Sequence, residues 1–579
     1  MTPLPAFDSA LFAAPADTSD AALTAHVGAL ADAYMASMLA HAPELGTLYG
    51  IPGSRHDRLP DNSPAALAAW HAREDSLLDA VRAVDSARVD RTGAWITYGL
   101  LREALEASVG TRICRHELWG VSQFSDGWPS AFATLAAAQP VGTDTLRAQA
   151  LARWGELPHW VDTEITNLQE GMRLGYTAPR GNVRLVIAQI DSILATPLEE
   201  SPFYEPATRD SSFTFRSAMR ALVTSEIAPA LRRYRDFLEL HYLPAARETI
   251  AVSALPDGAA CYQALVRSHT SLDVPARDIH ELGVREVAAT DSAMRVIAER
   301  SFGTSDVGEL LAALRTDPRY TFQSRDEIVA YASAALARAR AAAPQWFGRL
   351  PRADVKIERY PAFRERSASG EYIPPAEDGS RPGIFYIATY DPATRSRAGI
   401  EAVTFHETIP GHHLQIALAL ERGDAVHPIA RYLGSAGFIE GWALYAESLA
   451  DEMGLYTGDL DRLGMLSERA WRAARLVVDP GIHMLGWSRQ QAIDYLLAHT
   501  AVSPDEAASE VDRYIVAPGQ ATAYMLGAIT IRDLRERAEH TLGSDFDVRA
   551  FHDRVLENGN ITLPMLRHVV DRWLAASRP

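Results

Sequence analysis

The sequence predicts a mainly α-helical protein that contains one small β-sheet. Most of the chain places apolar residues about 3.6 positions apart, in segments rich in alanine and leucine whose other faces carry arginine and acid. Gly and Pro fall between these segments, where helices end. The stretch 383–390 (GIFYIATY) differs, because its aromatic and β-branched residues are typical of a strand.

The clearest periodicity predicts six helices, which are Ala21–Ala40, Ala65–Val84, Ser217–Tyr242, Ala276–Arg300, Glu327–Ala343 and Asp505–Tyr514. Two proline-containing stretches, 196–212 and 361–382, are predicted as long loops. Residues 355–360 (VKIERY) precede the second loop and 383–390 follow it, so these two stretches form the predicted sheet. The sheet comes immediately before the most informative part of the sequence.

The composition excludes several classes of function. Acidic residues outnumber basic ones by 74 to 56, and the net charge of −18 repels phosphate backbones, which argues against nucleic-acid binding. The single lysine, Lys356, excludes a Gly-Lys-Ser/Thr phosphate-binding loop. Two cysteines, Cys114 and Cys261, are too few for a disulfide framework or a cysteine-based metal site, and one disulfide between them stays open.

The sequence also predicts a location. The N-terminal residues lack the basic segment that begins a signal peptide, and Asp8 with several prolines interrupts the short apolar stretch there. No uncharged apolar run reaches the ~18 residues that a transmembrane helix needs. We therefore expect a cytoplasmic protein with no membrane partner.

Residues 402–420 (AVTFHETIPGHHLQIALAL) are the strongest candidate for chemistry. In zinc proteases of the His-Glu-x-x-His type, two histidines on one helix face bind the metal, and the glutamate beside the first is the base. Here His406 and Glu407 are followed by Pro410 at the fourth position, and the next histidines are His412 and His413. On an unbroken helix six residues rise about 9 Å, so His406 and His412 would not share an ion.

The Pro410-Gly411 pair changes this expectation. Proline removes a backbone donor and displaces the residue before it from helical dihedrals, while glycine permits unusual turns. A looped-out helix here would return His412 to the place that the fourth residue normally occupies. Two other His-Glu pairs, at 116–117 and 280–281, have no further histidine within seven residues and are interpreted as structural.

A catalytic zinc site needs a third protein ligand and an open position for water. The segment 437–447 (GFIEGWALYAE) supplies Glu440 and Glu447, seven residues apart on one helical face. Both are surrounded by apolar and aromatic residues, where an unpaired carboxylate is costly to bury. Each needs a cation, and the alternatives are a metal ion or a salt bridge to one of the many arginines.

Four stretches resemble the bacterial family catalogued as domain of unknown function 885: HETIPGHHLQ from residue 406, FIEGWALYAE from 438, RLVVDPGIH from 475 and PGQATAYMLG from 518. The likeness extends upstream to DGSRPGIFYIATYDP and is looser in the N-terminal helical part. This family is placed in the zinc peptidase clan whose third ligand is a glutamate. The resemblance therefore implies a zinc peptidase.

The resemblance also implies roles for individual residues. In the family pattern His-Glu-x-x-Pro-Gly-His, His406 and His412 correspond to ligands of one zinc ion per chain, Glu407 to the general base and Glu440 to the third ligand. His413 then becomes a neighbour of the site. The spacing alone decides neither which adjacent histidine binds nor which of the two glutamates does.

The clan further implies an architecture. Its members, which include thimet-type oligopeptidases and angiotensin-converting enzyme, are mostly helical, with two lobes flanking a deep channel. We therefore predict an N-terminal extension over 1–20 and one large helical metallopeptidase-like domain over 21–579. Residues 21–350 would form a helical lobe, and 351–579 would contain the sheet beside the metal-binding helix and the other catalytic helices.

Two further residues are candidates for the reaction. The resemblance makes His483 a hydrogen-bond donor to the substrate or the oxyanion, and a structural alternative has Asp479 capping a helix that starts at Pro480. In the clan a tyrosine on a late helix faces the metal, so Tyr524 is the candidate oxyanion donor. Its alternative is a tyrosine of the core.

Three residues are candidates for binding the substrate. Arg532, eight residues after Tyr524, lies near the same helical face and would hold a substrate carboxylate. Arg381, before the strand, and Tyr386, on it, are candidates for binding peptide backbone or carboxylate. Adding a strand beside an active site is a common way to hold an extended peptide.

These residues predict a zinc-dependent hydrolase that cleaves amide bonds of short peptides. Carboxypeptidase or dipeptidyl-carboxypeptidase action follows if an arginine binds the C-terminal carboxylate. A second prediction keeps the metal and replaces the peptide with a small amide or ester metabolite. A third is a non-catalytic helical binding scaffold in which Pro410-Gly411 makes the motif degenerate.

Overall fold

The protein consists of helices with one small sheet. The computed structural model describes residues 4–13, 19–360, 370–376, 381–423 and 426–577. The chain divides into two compact units, Met1–Cys261 and Tyr262–Pro579. The predicted mainly helical class with a small sheet is confirmed. The single domain over 21–579, with its lobes meeting at residue 350, stays a prediction.

The described residues of the first unit form helices and the turns between them. Their bounds, with the unit boundary inside the last helix, are α1 Asp20–His41, α2 Glu44–Leu48, α3 Pro64–Arg82, α4 Ser86–Val89, α5 Trp95–Thr111, α6 Trp128–Ala138, α7 Asp144–Gly155, α8 Leu157–Leu174, α9 Arg180–Ala195, α10 Glu205–Thr208, α11 Phe213–Leu222, α12 Ala228–Phe237, α13 Leu243–Ala245 and α14 Gly258–Thr270.

The second unit contains the sheet and Asp459–Leu485, the longest helix among the described residues. Its strands are β1 Val355–Arg359, β2 Gly370–Ile373 and β3 Gly383–Ile387. Its helices are α15 Ala276–Ile297, α16 Val307–Thr316, α17 Arg325–Ala342, α18 Ile400–Glu407, α19 His412–Leu420, α20 Ile429–Tyr432, α21 Ala436–Glu452, α22 Asp459–Leu485, α23 Arg489–His499, α24 Pro504–Val516, α25 Ala523–Leu542, α26 Val548–Leu556 and α27 Leu563–Ala576.

All six predicted helices are present, and local capping explains where several begin. The side chains of Ser19, Ser324 and Ser503 accept hydrogen bonds from the backbone of the first turns of α1, α17 and α24. The predicted helix Ser217–Tyr242 contains two wider π-helical turns, Val223–Ile227 and Leu238–Tyr242. Such turns keep the backbone helical, so the apolar periodicity persists through them.

The core of the first unit is rich in aromatic side chains. Trp154 is fully buried between Phe132 and Phe203, with ring centroids 6.4 Å and 5.7 Å away. Trp128 contacts the ring of Tyr234 at 5.1 Å. These edge-to-face contacts add to the free energy gained by burying large apolar surfaces.

The two cysteines form a disulfide, Cys114–Cys261, which joins positions 147 residues apart within the first unit. The sequence left this pairing open. Disulfides persist in oxidising compartments and are rare in the cytosol. Among the described residues, none of the helices combines the length and the hydropathy that a bilayer crossing requires.

The small sheet lies against α17, which precedes it in the chain, and against α18, which follows it. Its strand order is β1-β3-β2, with β1 parallel and β2 antiparallel to β3. Phe385 and Ile387 on β3 pack against Phe322 and Ile328. The predicted loop over 361–382 is wrong at Gly370–Ile373, which form β2, and 361–369 and 377–380 lie outside the described residues.

We predict that the disulfide stabilises the first unit. Replacing Cys261 by Ser should lower the free energy of unfolding by about 2–4 kcal/mol, because the unfolded chain regains the entropy of a long loop. Chemical denaturation of the oxidised variant and the oxidised wild type would measure this difference. The wild type treated with reductant should match the variant, and equal stability of the oxidised and reduced wild type would contradict the prediction.

Candidate metal centre

The His-Glu motif lies at a break between two helices. α18 ends at Glu407 and α19 begins at His412. Across the break Gly411 N donates to the carbonyl of Phe405 at 2.9 Å, and Leu414 N donates to that of Thr408 at 3.4 Å. These hydrogen bonds span six residues, whereas α-helical ones span four. The break therefore inserts two residues, and His412 occupies the place of the fourth residue after His406.

Only glycine fits at position 411 of this turn. A Cβ atom there would lie 1.9 Å from the carbonyl oxygen of His406 and 2.4 Å from that of Phe405. The indole Nε1 of Trp442, on α21, donates to the carbonyl of Pro410 at 3.0 Å. The turn is thus fixed from within by close backbone contact and from outside by the helix that carries Glu440.

The turn brings His406, His412 and Glu440 together. The Oε2 atom of Glu440 lies 3.7 Å from Nε2 of His406 and 3.6 Å from Nε2 of His412. The two rings are 4.7 Å apart and perpendicular. Each of the three residues has a potential ligand atom within 4.8 Å of those of the other two. In the described part of the chain, no other group of three His, Cys, Asp or Glu side chains comes as close.

A second carboxylate orients the first histidine. Nδ1–H of His406 donates to Oε1 of Glu447 at 2.7 Å, and Glu447 is almost fully buried. This contact leaves Nε2 directed at Glu440. Burial opposes protonation of His406, but the carboxylates of Glu440 and Glu447 outweigh it and raise its pKa to about 9. Burial also acts on Glu440, yet the two histidines hold its pKa well below the usual range.

The adjacent histidine, His413, faces elsewhere. Its Nε2–H donates to the carbonyl of Ala353 at 3.0 Å, and its Nδ1 accepts from the hydroxyl of Tyr372, on β2, at 2.9 Å. Burial lowers its pKa to about 4. Both ring nitrogens are therefore occupied by protein groups, and the geometry favours His412 over His413 as a ligand.

Glu407 is the last residue of α18 and is half-buried next to the cluster. Burial of Tyr372 raises the pKa of its hydroxyl, the charge of Arg381 opposes this effect, and the charge of Glu407 adds to it. Arg381 also donates from Nη1 to the carbonyl of Pro382 at 3.2 Å. Glu407 and Arg381 thus both lie within electrostatic range of the Tyr372 hydroxyl.

Tyr524 reaches the site through a close contact between two helices. A Cβ at Gly441, on α21, would lie 2.5 Å from Cα of Gly527, on α25, so these backbones touch. Glu440 directly precedes Gly441, and Tyr524 lies about one helical turn before Gly527. Burial raises the pKa of Tyr524, and the charge of Glu440 adds to the effect. The phenol of Tyr524 therefore lies within electrostatic range of Glu440.

His483 does not join the cluster. It is fully buried in α22, and its Nε2–H donates to the carbonyl of Tyr514 at 2.9 Å, so this nitrogen is unavailable to a substrate. The capping alternative is also wrong, because Pro480 lies inside α22. Asp479 accepts instead from the Tyr262 hydroxyl at 2.6 Å and from Gly519 N at 3.0 Å, which fixes the turn before α25.

Two predicted substrate-binding residues are engaged elsewhere. Arg532 forms an ion pair with Glu286, whose oxygens lie 3.1 Å and 3.4 Å from its guanidinium. Tyr386 is on β3, and its ring packs against Tyr360 at 5.4 Å. Since β1 and β2 occupy both edges of β3, a peptide has no free edge there. The strand-addition prediction at Tyr386 is therefore corrected.

The sequence missed the partner of the site tyrosine. The guanidinium of Arg475 lies 4.4 Å from the ring centroid of Tyr524 and is bound to Tyr514 and Glu510 on α24. No local pattern reveals these contacts, because Arg475 and Glu510 are 35 residues apart. The sole signal was the motif RLVVDPGIH, of which Arg475 is the first residue.

The donor set suits a divalent transition metal. Two imidazole nitrogens and a carboxylate oxygen are ligands that zinc accepts, at distances of about 2.0–2.2 Å. Ligand atoms 3.6–3.7 Å apart are close to the separation that a tetrahedral ion at such distances would give. Three protein ligands leave a fourth position open for water.

Fold and site define a helical protein with a buried cluster of two histidines and one glutamate. The family model described as bacterial protein of unknown function (DUF885) matches residues 43–570, and the chain belongs to this family. No curated protein matches the chain significantly.

Two solved structures share the fold. One, from Colwellia psychrerythraea, is 27% identical, covers 96% of this chain and 100% of its own, and has a TM-score of 0.86. The other, from Shewanella oneidensis, is 17% identical, covers 94% of this chain and 99% of its own, and has a TM-score of 0.75. Each is described as a "putative lipoprotein", the second as one of unknown function.

We predict that Gly411→Ala disrupts the turn. The clash with the carbonyl of His406 should lower the free energy of unfolding by at least about 2 kcal/mol and separate the two imidazoles. Gly458→Ala is the matched control, because a Cβ there meets open space and should cost less than about 1 kcal/mol. Denaturation of both variants would compare them, and equal losses would contradict the prediction.

Proposed function

We propose that this protein is a zinc-dependent hydrolase that cleaves amide bonds in short peptides. The observation that carries the proposal is the convergence of His406, His412 and Glu440 across a helix break. The family motif His-Glu-x-x-Pro-Gly-His and its likeness to the zinc peptidase clan with a glutamate ligand support the same function. Hydrolysis of short peptides beside small non-peptide amides distinguishes these two classes of substrate.

In this proposal the three clustered side chains hold one zinc ion per chain. Glu447 accepts a hydrogen bond from His406 and so directs Nε2 of that ring to the ion. When bound in such a site, zinc polarises a carbonyl and lowers the pKa of water. The carboxylates of Glu440 and of the buried Glu447 supply negative charge that complements a dication.

The other steps use groups of the chain itself. Glu407 accepts a proton from the attacking water and returns it to the leaving amine. The hydroxyl of Tyr524 donates a hydrogen bond to the oxygen on which negative charge develops. Arg475, stacked against the Tyr524 ring, fixes the position of that donor.

The disulfide bears on the compartment. A Cys114–Cys261 bond favours an oxidising environment over the cytoplasm that the N-terminal residues predict. The lipoprotein descriptions of the two similar structures support the same direction. We therefore propose that the protein works outside the reducing cytoplasm.

We predict that zinc binding requires His412 and does not require the adjacent His413. His412→Ala should reduce the zinc content from about one ion per chain to near zero, because a ligand is lost. His413→Gln is the matched control, since His413 contacts Tyr372 and Ala353, and this variant should keep its zinc. Elemental analysis of purified protein would measure both, and zinc lost only in the His413 variant would overturn the ligand set.

We predict that Glu407→Gln keeps the metal and loses the reaction. The amide cannot accept a proton, so kcat should fall at least about 100-fold while the zinc content stays at the wild-type level. The measurement is hydrolysis of a dipeptide and tripeptide library beside a panel of small amides and esters. Wild-type turnover by the variant would remove Glu407 as base, and cleavage of the small amides alone would replace the peptide substrate.

A further inference from the structure

The guanidinium of Arg475 is buried with one donor unused. Its Nε donates to the hydroxyl of Tyr514 at 3.0 Å and its Nη2 to Oε2 of Glu510 at 2.9 Å. Its Nη1 is buried and has no hydrogen-bond partner among the described residues. Buried polar groups in folded proteins almost always have a partner in the protein, in ordered water or in a ligand, so this nitrogen has a donor to offer to a bound anion.

Two aromatic rings hold this guanidinium in place. Its central carbon lies 4.8 Å from the ring centroid of Trp471 and 4.4 Å from that of Tyr524. The indole of Trp471 also donates to the Tyr514 hydroxyl at 3.2 Å. Arg475 is therefore preorganised, and little side-chain entropy would be lost when it binds an anion.

The surroundings carry an excess of positive charge. Arg475 and Arg513 both pair with one carboxylate, Glu510. The next charges outward balance each other, since Arg472 pairs with Glu468, and Glu506 lies near Arg395. An anionic group bound at Nη1 would neutralise the buried charge.

This cationic group adjoins the candidate metal centre. Tyr524 contacts Arg475 on one side, and its helix touches α21 through Gly527 and Gly441, next to Glu440. The side chain of Glu440 keeps 23% exposure, so the centre is reachable from solvent. A substrate that bound at the cluster and extended past the Tyr524 ring would therefore approach Arg475.

We propose that Arg475 binds the C-terminal carboxylate of the peptide substrate through its free Nη1, which makes the enzyme act near free C-termini. This inference rests on the proposed function and deepens it. It replaces Arg532, whose guanidinium is paired with Glu286. A charge-assisted hydrogen bond of this kind is among the stronger contacts a substrate can make.

The test compares acetylated tripeptides that end in a free acid with the same tripeptides ending in an amide. The zinc-loaded wild type should cleave the acids about 10- to 100-fold faster in kcat/KM, because the amide leaves a buried cation unpaired. Arg475→Gln should lower kcat/KM for the acids more than for the amides, so that the ratio of the two values falls to about one. Arg469→Gln, on the same helix and paired with Glu286, should keep the preference.

Equal rates on acids and amides by the wild type would overturn the inference while leaving the peptidase in place. A preference that survives in Arg475→Gln would overturn it as well. If Arg475→Gln fails to fold, Arg475→Lys replaces it in the comparison of acids with amides, because lysine keeps the charge and lacks the forked donor of the guanidinium.

Binding to the zinc-free protein separates this inference from the proposed function. The acid tripeptides should raise the thermal unfolding midpoint of the zinc-free wild type more than the amides do, and Arg475→Gln should remove the difference. This result together with no hydrolysis by the zinc-loaded protein would overturn the hydrolase and support the carboxylate site. Equal shifts for acids and amides would overturn the carboxylate site.

Discussion

The turn between α18 and α19 is the constraint on which the candidate centre depends. The chain between Glu407 and His412 contains two residues more than a continuous helix would have. The backbone hydrogen bonds across this break therefore join residues six positions apart. Without that insertion the two imidazoles would point apart on successive turns. With it, a motif that departs from His-Glu-x-x-His at the fourth position presents the same pair of ring nitrogens. Gly411 permits the turn, and Trp442 ties it to the helix that supplies the third side chain.

The packing of the helices pairs the charged side chains of the site with one another. Glu447 holds one histidine, and Glu440 lies between both. Close contact of α21 with α25 through Gly441 and Gly527 then brings a tyrosine and its arginine to the same place. Because the helices that carry these groups hold them in place, little free energy would be spent on positioning them when a ligand binds.

The sequence predicted what is local and missed what is not. Helices and the strands β1 and β3 follow from periodicity and composition, but β2 depends on pairing with β3 and stands in a stretch rich in proline and glycine. The sequence predicts a break in the helix at Pro410-Gly411. It does not decide between His412 and His413 as the ligand, because that depends on the path of the backbone through the break. Pro480 looked like the start of a helix because its neighbours do not reveal that α22 continues through it.

Anomalous diffraction at the zinc absorption edge, from crystals grown with the metal, tests the central claim most directly. We expect one strong peak about 2.0–2.2 Å from Nε2 of His406, Nε2 of His412 and a carboxylate oxygen of Glu440. A peak bound by other residues, or none at this place with the two rings turned apart, would contradict the account.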